Sequence, residues 1–203
     1  MTKGRLEAFS DGVIAVAITL LVLNIMVPPP RAPGTLAHKL LAQWPSYAAY
    51  VTSFVTIGII WTNHHVMISR LRQPDRAILL LNLALLLWIG VLPFATNVLA
   101  TYLKQGQGEH LAAAVYSGSF LLMALTFATL NHHILFTKTH LLVTPIAEQR
   151  RRQILAFSVA GVAPYAAATA LAVVSPYVTL AICAGIAVFY ATPLGSGGSE
   201  PSS

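Results

Sequence analysis

RLEAFSDGVIAVAITLLVLNIMV, residues 5–27, decides the fold. It opens with charges of both signs, Arg5, Glu7 and Asp11, and then carries none over residues 12–27. That pattern reads as a membrane helix with its polar head at one face of the bilayer. A charged group at bilayer depth costs about 2.5–3.5 kcal/mol even on the lenient insertion scale, so it has to be paired or wet. The run ends in Pro28-Pro29-Pro30 without a small-x-small cleavage pattern, which favours a first transmembrane helix over a cleavable signal.

Composition agrees. Of 203 residues, 56% are hydrophobic and only 9% charged, whereas soluble domains carry about 25% charged residues. Mean hydropathy is +0.71. A net charge of +6 is a feature of nucleic-acid binders too, but here the basic residues lie between apolar runs, where they set topology. No nucleic-acid partner is expected. The single cysteine, Cys183, sits in an apolar run and excludes both an internal disulfide and a cysteine-based zinc site.

Six segments read as membrane helices, at 6–27, 46–69, 76–102, 110–137, 152–174 and 177–193. The last two are separated by Ser175-Pro176 and form a tight helical hairpin, because proline cannot continue a helix. The expected architecture is all-α and integral to the lipid bilayer. Residues 1–194 form one six-helix domain, and GSGGSEPSS at 195–203 is a flexible tail by composition. Pro-rich residues 28–33 are expected to be extended outside the membrane.

With a cytoplasmic N-terminus, the inner segments hold Lys3, Arg5, Arg70, Arg72, Arg76, Lys138, Arg150, Arg151 and Arg152. The outer loops hold Arg31, Lys39 and Lys104. The excess of inner cations places both termini in the cytoplasm, in a plasma-membrane protein. Arg150, Arg151 and Arg152 read mainly as this topology signal, with anionic lipid as a lesser alternative.

On a helical wheel at about 100° per residue, Phe9, Gly12, Val16, Thr19, Leu20 and Leu23 share one stripe. Asp11, Ile14, Ile18, Leu21, Val22 and Ile25 fall largely opposite, with Ser10 to one side of the stripe. Arg5 and Asp11 are on different faces and cannot form an i,i+4 pair. Each needs a partner on another helix or in water. Candidates at similar depth are Trp61, Asn63, His64 and His65 in the second segment and Asn82 and Trp88 in the third.

Arg5-x-x-x-Phe9-Ser10-Asp11, followed by Trp61-x-x-His64, Asn82 and Pro93-Phe94-Ala95-Thr96, resembles the lysosomal potassium channel family, also called transmembrane protein 175. The likeness is carried by the three N-terminal segments. It implies a homotetramer of six-span subunits whose first helices line a central potassium-permeable pathway. Such channels have no glycine-rich carbonyl filter, and this chain has no TVGYG-like segment. By distance from the FSD motif, the implied pore positions are Val16, Thr19, Leu20 and Leu23. The implied structural polar network is Arg5, Phe9, Ser10, Asp11, Trp61, His64 and Asn82. No cofactor is expected, and potassium is the permeant, passing transiently near Thr19.

On pattern alone, an apolar stripe is a packing face, and the resemblance is what assigns it to a pore. Thr19 could instead bond back to the Ala15 carbonyl. A proton-coupled transporter using Asp11 and His64 is the second reading. A membrane enzyme built on Asn63-His64-His65 and Asn131-His132-His133 is the third and would need a metal. Adjacent histidines point about 100° apart on a helix, so neither pair chelates through one face.

Overall fold

The computed structural model describes residues 2–30 and 33–192. The tail at 195–203, Arg31 and the last position of the 177–193 segment lie outside the described residues.

Helix α1, Lys3–Leu20, tightens into a 3-10 turn at Leu21–Asn24. A short α2, Leu36–Ala42, is capped by the Thr35 hydroxyl, which accepts from the His38 N–H. This helix lies between the first two membrane segments, at 6–27 and 46–69, where the sequence marks no span. Next come α3, Trp44–Ser69, and α4, Arg76–Tyr102. Helix α5, Glu109–His132, runs on through a π-turn at His133–Thr137. Helices α6, Glu148–Ala160, and α7, Val162–Leu171, follow, and then α8, Pro176–Ala191. Ser175 caps α8 by accepting from the Val178 N–H, with Pro176 in the first turn, where a missing N–H costs nothing.

Every predicted segment is helical, but not all are equal. Among the described residues, only Lys3–Asn24, Arg76–Tyr102, Glu109–Thr137 and Glu148–Leu171 are both long and apolar enough to cross a membrane. Helix α3 has the length, with 26 residues. It also carries Thr52, Ser53, Thr56, Asn63, His64 and His65. Helix α8 has 16 residues, about 24 Å, against a hydrocarbon core of about 30 Å. The fifth segment is two helices broken at Gly161, with Pro164 unable to donate to the turn before it.

Helices α4 and α5 form the most extensive pair, and α1 packs chiefly on α4 and α3. The core between them is apolar, with the Tyr116 edge against Phe120 and Phe120 stacked on Tyr165. Ser53 Oγ lies 2.8 Å from Thr96 Oγ1 and 3.1 Å from Tyr116 Oη, joining α3, α4 and α5. At the Arg-rich end, Leu71 and Leu142 form an antiparallel bridge and Lys138 pairs with Asp75 at 3.0 Å. The loop before α4 is thereby tied to the chain after α5.

Candidate ion pathway on the first helix

Every third or fourth residue of α1 is buried: Leu6, Ser10, Ile14 and Ala17, followed by Leu21. This period is that of a helix laid on its neighbours along one face. Apolar contact supplies the middle of the seam, and hydrogen bonds fix both ends.

At the N-terminal end of α1, Lys3 Nζ donates to the Ser69 carbonyl at 2.8 Å and pairs with Glu7 at 3.9 Å. Asn82 Nδ2 on α4 donates to Ser10 Oγ at 3.0 Å, and His64 Nε2 on α3 lies 2.7 Å from Asn82 Oδ1. With Oδ1 the acceptor, His64 carries its proton on Nε2. Ser10, His64 and Asn82 are all buried, so their polar atoms need one another. Beside this chain, Trp61 Nε1 donates to Asp11 Oδ1 at 2.9 Å. At the other end, Asn24 Nδ2 donates to the Pro93 carbonyl of α4 at 3.1 Å.

The structure thus joins five of the seven residues assigned to the network: Ser10, Asp11, Trp61, His64 and Asn82. The other two stand apart. Arg5 and Phe9 are exposed, and among the described residues Arg5 makes no hydrogen bond or ion pair. A long cationic side chain one turn into the helix reaches water at little cost. Asp11 is bonded to Trp61, and the residue bonded to Asn82, and only through it linked to His64, is its neighbour Ser10.

The opposite face of α1 is uncovered by the chain itself. Val16 is 58% exposed, Leu20 44% and Leu23 71%, and Phe9, Gly12 and Thr19 are exposed with them. Ala8, Ala15 and Val22 widen this bare arc, although the helical wheel puts Val22 largely opposite the stripe. Thr19 Oγ1 donates to the Val16 carbonyl at 2.9 Å, one residue later than the expected Ala15. The bond consumes the hydroxyl proton and leaves oxygen lone pairs on the exposed side.

The other histidines do not gather. His65 is exposed, and His132 stacks on Phe136. Among the described residues, no group of three or more His, Cys, Asp or Glu is placed to hold a metal ion. Two features went unnoticed in the sequence: the Ser53–Thr96–Tyr116 cluster and Asp75. Asp75 precedes Arg76 and an apolar run, a legible helix-start pattern. The cluster spans three helices and leaves no local trace.

The family model for the endosomal/lysosomal potassium channel TMEM175 matches residues 5–93. A potassium channel of Streptomyces collinus is 46% identical over 190 residues, covering 93% of this chain and 91% of its own. The crystal structure of a lysosomal potassium-selective channel TMEM175 homolog from Chamaesiphon minutus superposes with a TM-score of 0.83. It is 37% identical and covers 93% of this chain and 96% of its own. The human endosomal/lysosomal proton channel TMEM175 is 39% identical over 117 residues, 54% of this chain and 23% of that protein. These relatives are channels, not enzymes, and with its apolar helices this chain is a membrane protein. From residues 5–93 to the whole helical bundle, the chain belongs to the TMEM175 potassium channel family.

Proposed function

We propose that this chain is the subunit of a homotetrameric, potassium-permeable channel whose pore is lined by α1. The observation that carries the reading is the bare stripe of Val16, Thr19, Leu20 and Leu23 on a helix whose other face is anchored at both ends. Four copies of Leu23 or Val16 around an axis form apolar rings that close by dewetting. Thr19 is the one polar side chain of the four, and its outward lone pairs replace part of a potassium ion's water shell. No cofactor is required. Residues 1–194 form the channel domain, with six spans in the plasma membrane and both termini in the cytoplasm.

A proton-coupled mechanism through Asp11 and His64 is the second reading, and the human relative's name as a proton channel keeps it in view. The hydrogen bonds favour it less. Asp11 accepts from an indole N–H, which does not titrate, and His64 is occupied by Asn82. Reconstituted protein should pass potassium in liposomes without a pH gradient. Leu23→Ala should change the conductance. Flux that requires a proton gradient, or no flux from intact oligomer, would sink the potassium pore.

A further inference from the structure

Gly58 of α3 and Gly90 of α4 each sit in a helix interior, where glycine is unfavourable relative to alanine. Nothing inside the subunit requires either one. A Cβ added at each position would meet no neighbouring atom within 4 Å. Small residues on membrane helices are where a second helix comes close. Hydrogen bonds fix the depth of the two glycines. Ser53 lies 2.8 Å from Thr96 and His64 lies 2.7 Å from Asn82, so α3 and α4 run antiparallel. Between those bonds, Gly58 and Gly90 stand level to within about one residue's rise of 1.5 Å. Phe54 and Phe94 are level in the same way on the Thr96 side, and Trp61 and Leu87 on the Asn82 side. All four are exposed, as is Gly90, and Gly58 is half-buried.

The two rows flank α1. Phe54, Gly58 and Trp61 lie about 100° round α3 from His64, and Leu87, Gly90 and Phe94 lie about as far round α4 from Asn82. Because the helices are antiparallel, both rows turn to the side on which α1 sits. Helix α1 is held there by both: Asp11 accepts from Trp61 of α3, and Asn24 donates to the carbonyl of Pro93, the residue before Phe94 of α4. The subunit is thus a wedge with α1 at its edge and one exposed row on either side of it.

We propose that these rows are the subunit contact: the α3 row of one copy packs on the α4 row of the next. This rests on the ring of subunits proposed above. Rotation about an axis along the membrane normal keeps every residue at its own depth, so Gly58 of one copy meets Gly90 of the next, and Phe54 meets Phe94. Joining one patch to a different patch, head to tail, is how a rotation closes a ring. The glycines let the two helices approach, and the phenylalanines supply an aromatic pair beside them. Both rows border α1, so the contact continues outward from the bare stripe of Val16, Thr19, Leu20 and Leu23. Lipid fits these rows less well. Acyl chains cover any apolar surface and give no reason for two glycines at one depth on the two flanks of one wedge.

Cross-linking in the membrane tests the contact. Cys183 is buried and is replaced by alanine throughout. Phe54→Cys and Phe94→Cys are placed on separate, differently tagged full-length chains and co-expressed. A short bis-maleimide should join the two tags in one covalent dimer. F54C alone should give none, and neither should F54C with Leu80→Cys, which lies about four turns from Phe94 along α4. Gly58→Leu and Gly90→Leu fill space that is open within the subunit. Each should keep the helix content and lower the oligomer fraction in native mass spectrometry about tenfold. Three results would overturn this contact and leave the channel standing: no F54C–F94C link in an oligomer that conducts, F54C linking to itself, or full oligomer in both glycine variants. A monomeric wild type would overturn both readings. A linked oligomer that passes no potassium would uphold the contact and sink the channel alone.

Discussion

Trp61 Nε1 donates to Asp11 Oδ1 at 2.9 Å, joining α3 to α1 across fifty positions of sequence. The preceding residue, Ser10, is bonded to Asn82 of α4. Successive residues on a helix point about 100° apart, so Ser10 and Asp11 grip two different neighbours. Two such grips at one level fix the rotation of α1 about its own axis. That rotation decides which side chains form the bare stripe, and Ser10 and Asp11 thereby set which face of α1 stays uncovered without lying at its centre.

Trp61→Phe tests this grip. The ring and its packing stay, and the donor is lost. Trp61 is 44% exposed, so the stability cost should be modest, about 1 kcal/mol. The functional effect should be larger than that cost suggests, because α1 is freer to turn. Single-channel recording should show altered or unstable conductance in protein that still melts within a few degrees of wild type.

Asn82→Ala should be far more damaging. It leaves Ser10 Oγ and His64 Nε2 buried without this partner, and each such loss costs about 1–3 kcal/mol. Ser10→Ala removes one end of the chain and should cost less. Thermal unfolding of the detergent-solubilised oligomer should rank wild type, S10A and N82A in descending order.

Leu23→Ala and Ile14→Ala separate the two faces of α1. Ile14 is 2% exposed and packs in the core, so its truncation should cost about 2–5 kcal/mol. Leu23, at 71% exposed in the protomer, contributes little to the subunit's own core. Leu23→Ala should leave the subunit fold intact and change conductance or ion preference. Thermal melts and liposome flux on both variants decide it. A large melting loss in L23A with unchanged flux would place Leu23 in a packing contact.

The α1 stripe was legible because a helix repeats every 3.6 residues, and the buried set of Leu6, Ser10, Ile14, Ala17 and Leu21 follows that period. The partner of Asp11 was narrowed only to a set of six that includes Trp61. Its spacing to Trp61 is set by how three helices pack, which no local pattern encodes. For Arg5 the sequence leaves two choices, a partner on another helix or water, and the structure exposes it, because a long cationic stem at the head of a helix reaches water. The break at Gly161 did have a signal, in Gly161 and Pro164, that overall hydropathy hid. The polarity of α3 belongs to the same lesson: its Ser53, Thr56 and His64 face other helices inside the bundle.

Asp75 should govern part of the acid stability. It accepts from the Ile78 N–H at 2.8 Å as the cap of α4 and pairs with Lys138 at 3.0 Å. The backbone N–H first, and then the lysine, hold its carboxyl below the usual carboxylate value. A carboxylate with a lowered folded-state pKa adds stability above its unfolded value, about 3.9. That contribution fades as pH falls through the folded value. Wild-type unfolding should therefore lose this increment below about pH 4. Asp75→Asn keeps a cap acceptor but removes the charge, so it should be less stable than wild type near neutral pH and converge with it in acid. Melting curves of both proteins across that range measure the difference. A gap between them that stays constant down to the most acidic point would mean that the ion pair with Lys138 and the charged cap add nothing to the fold.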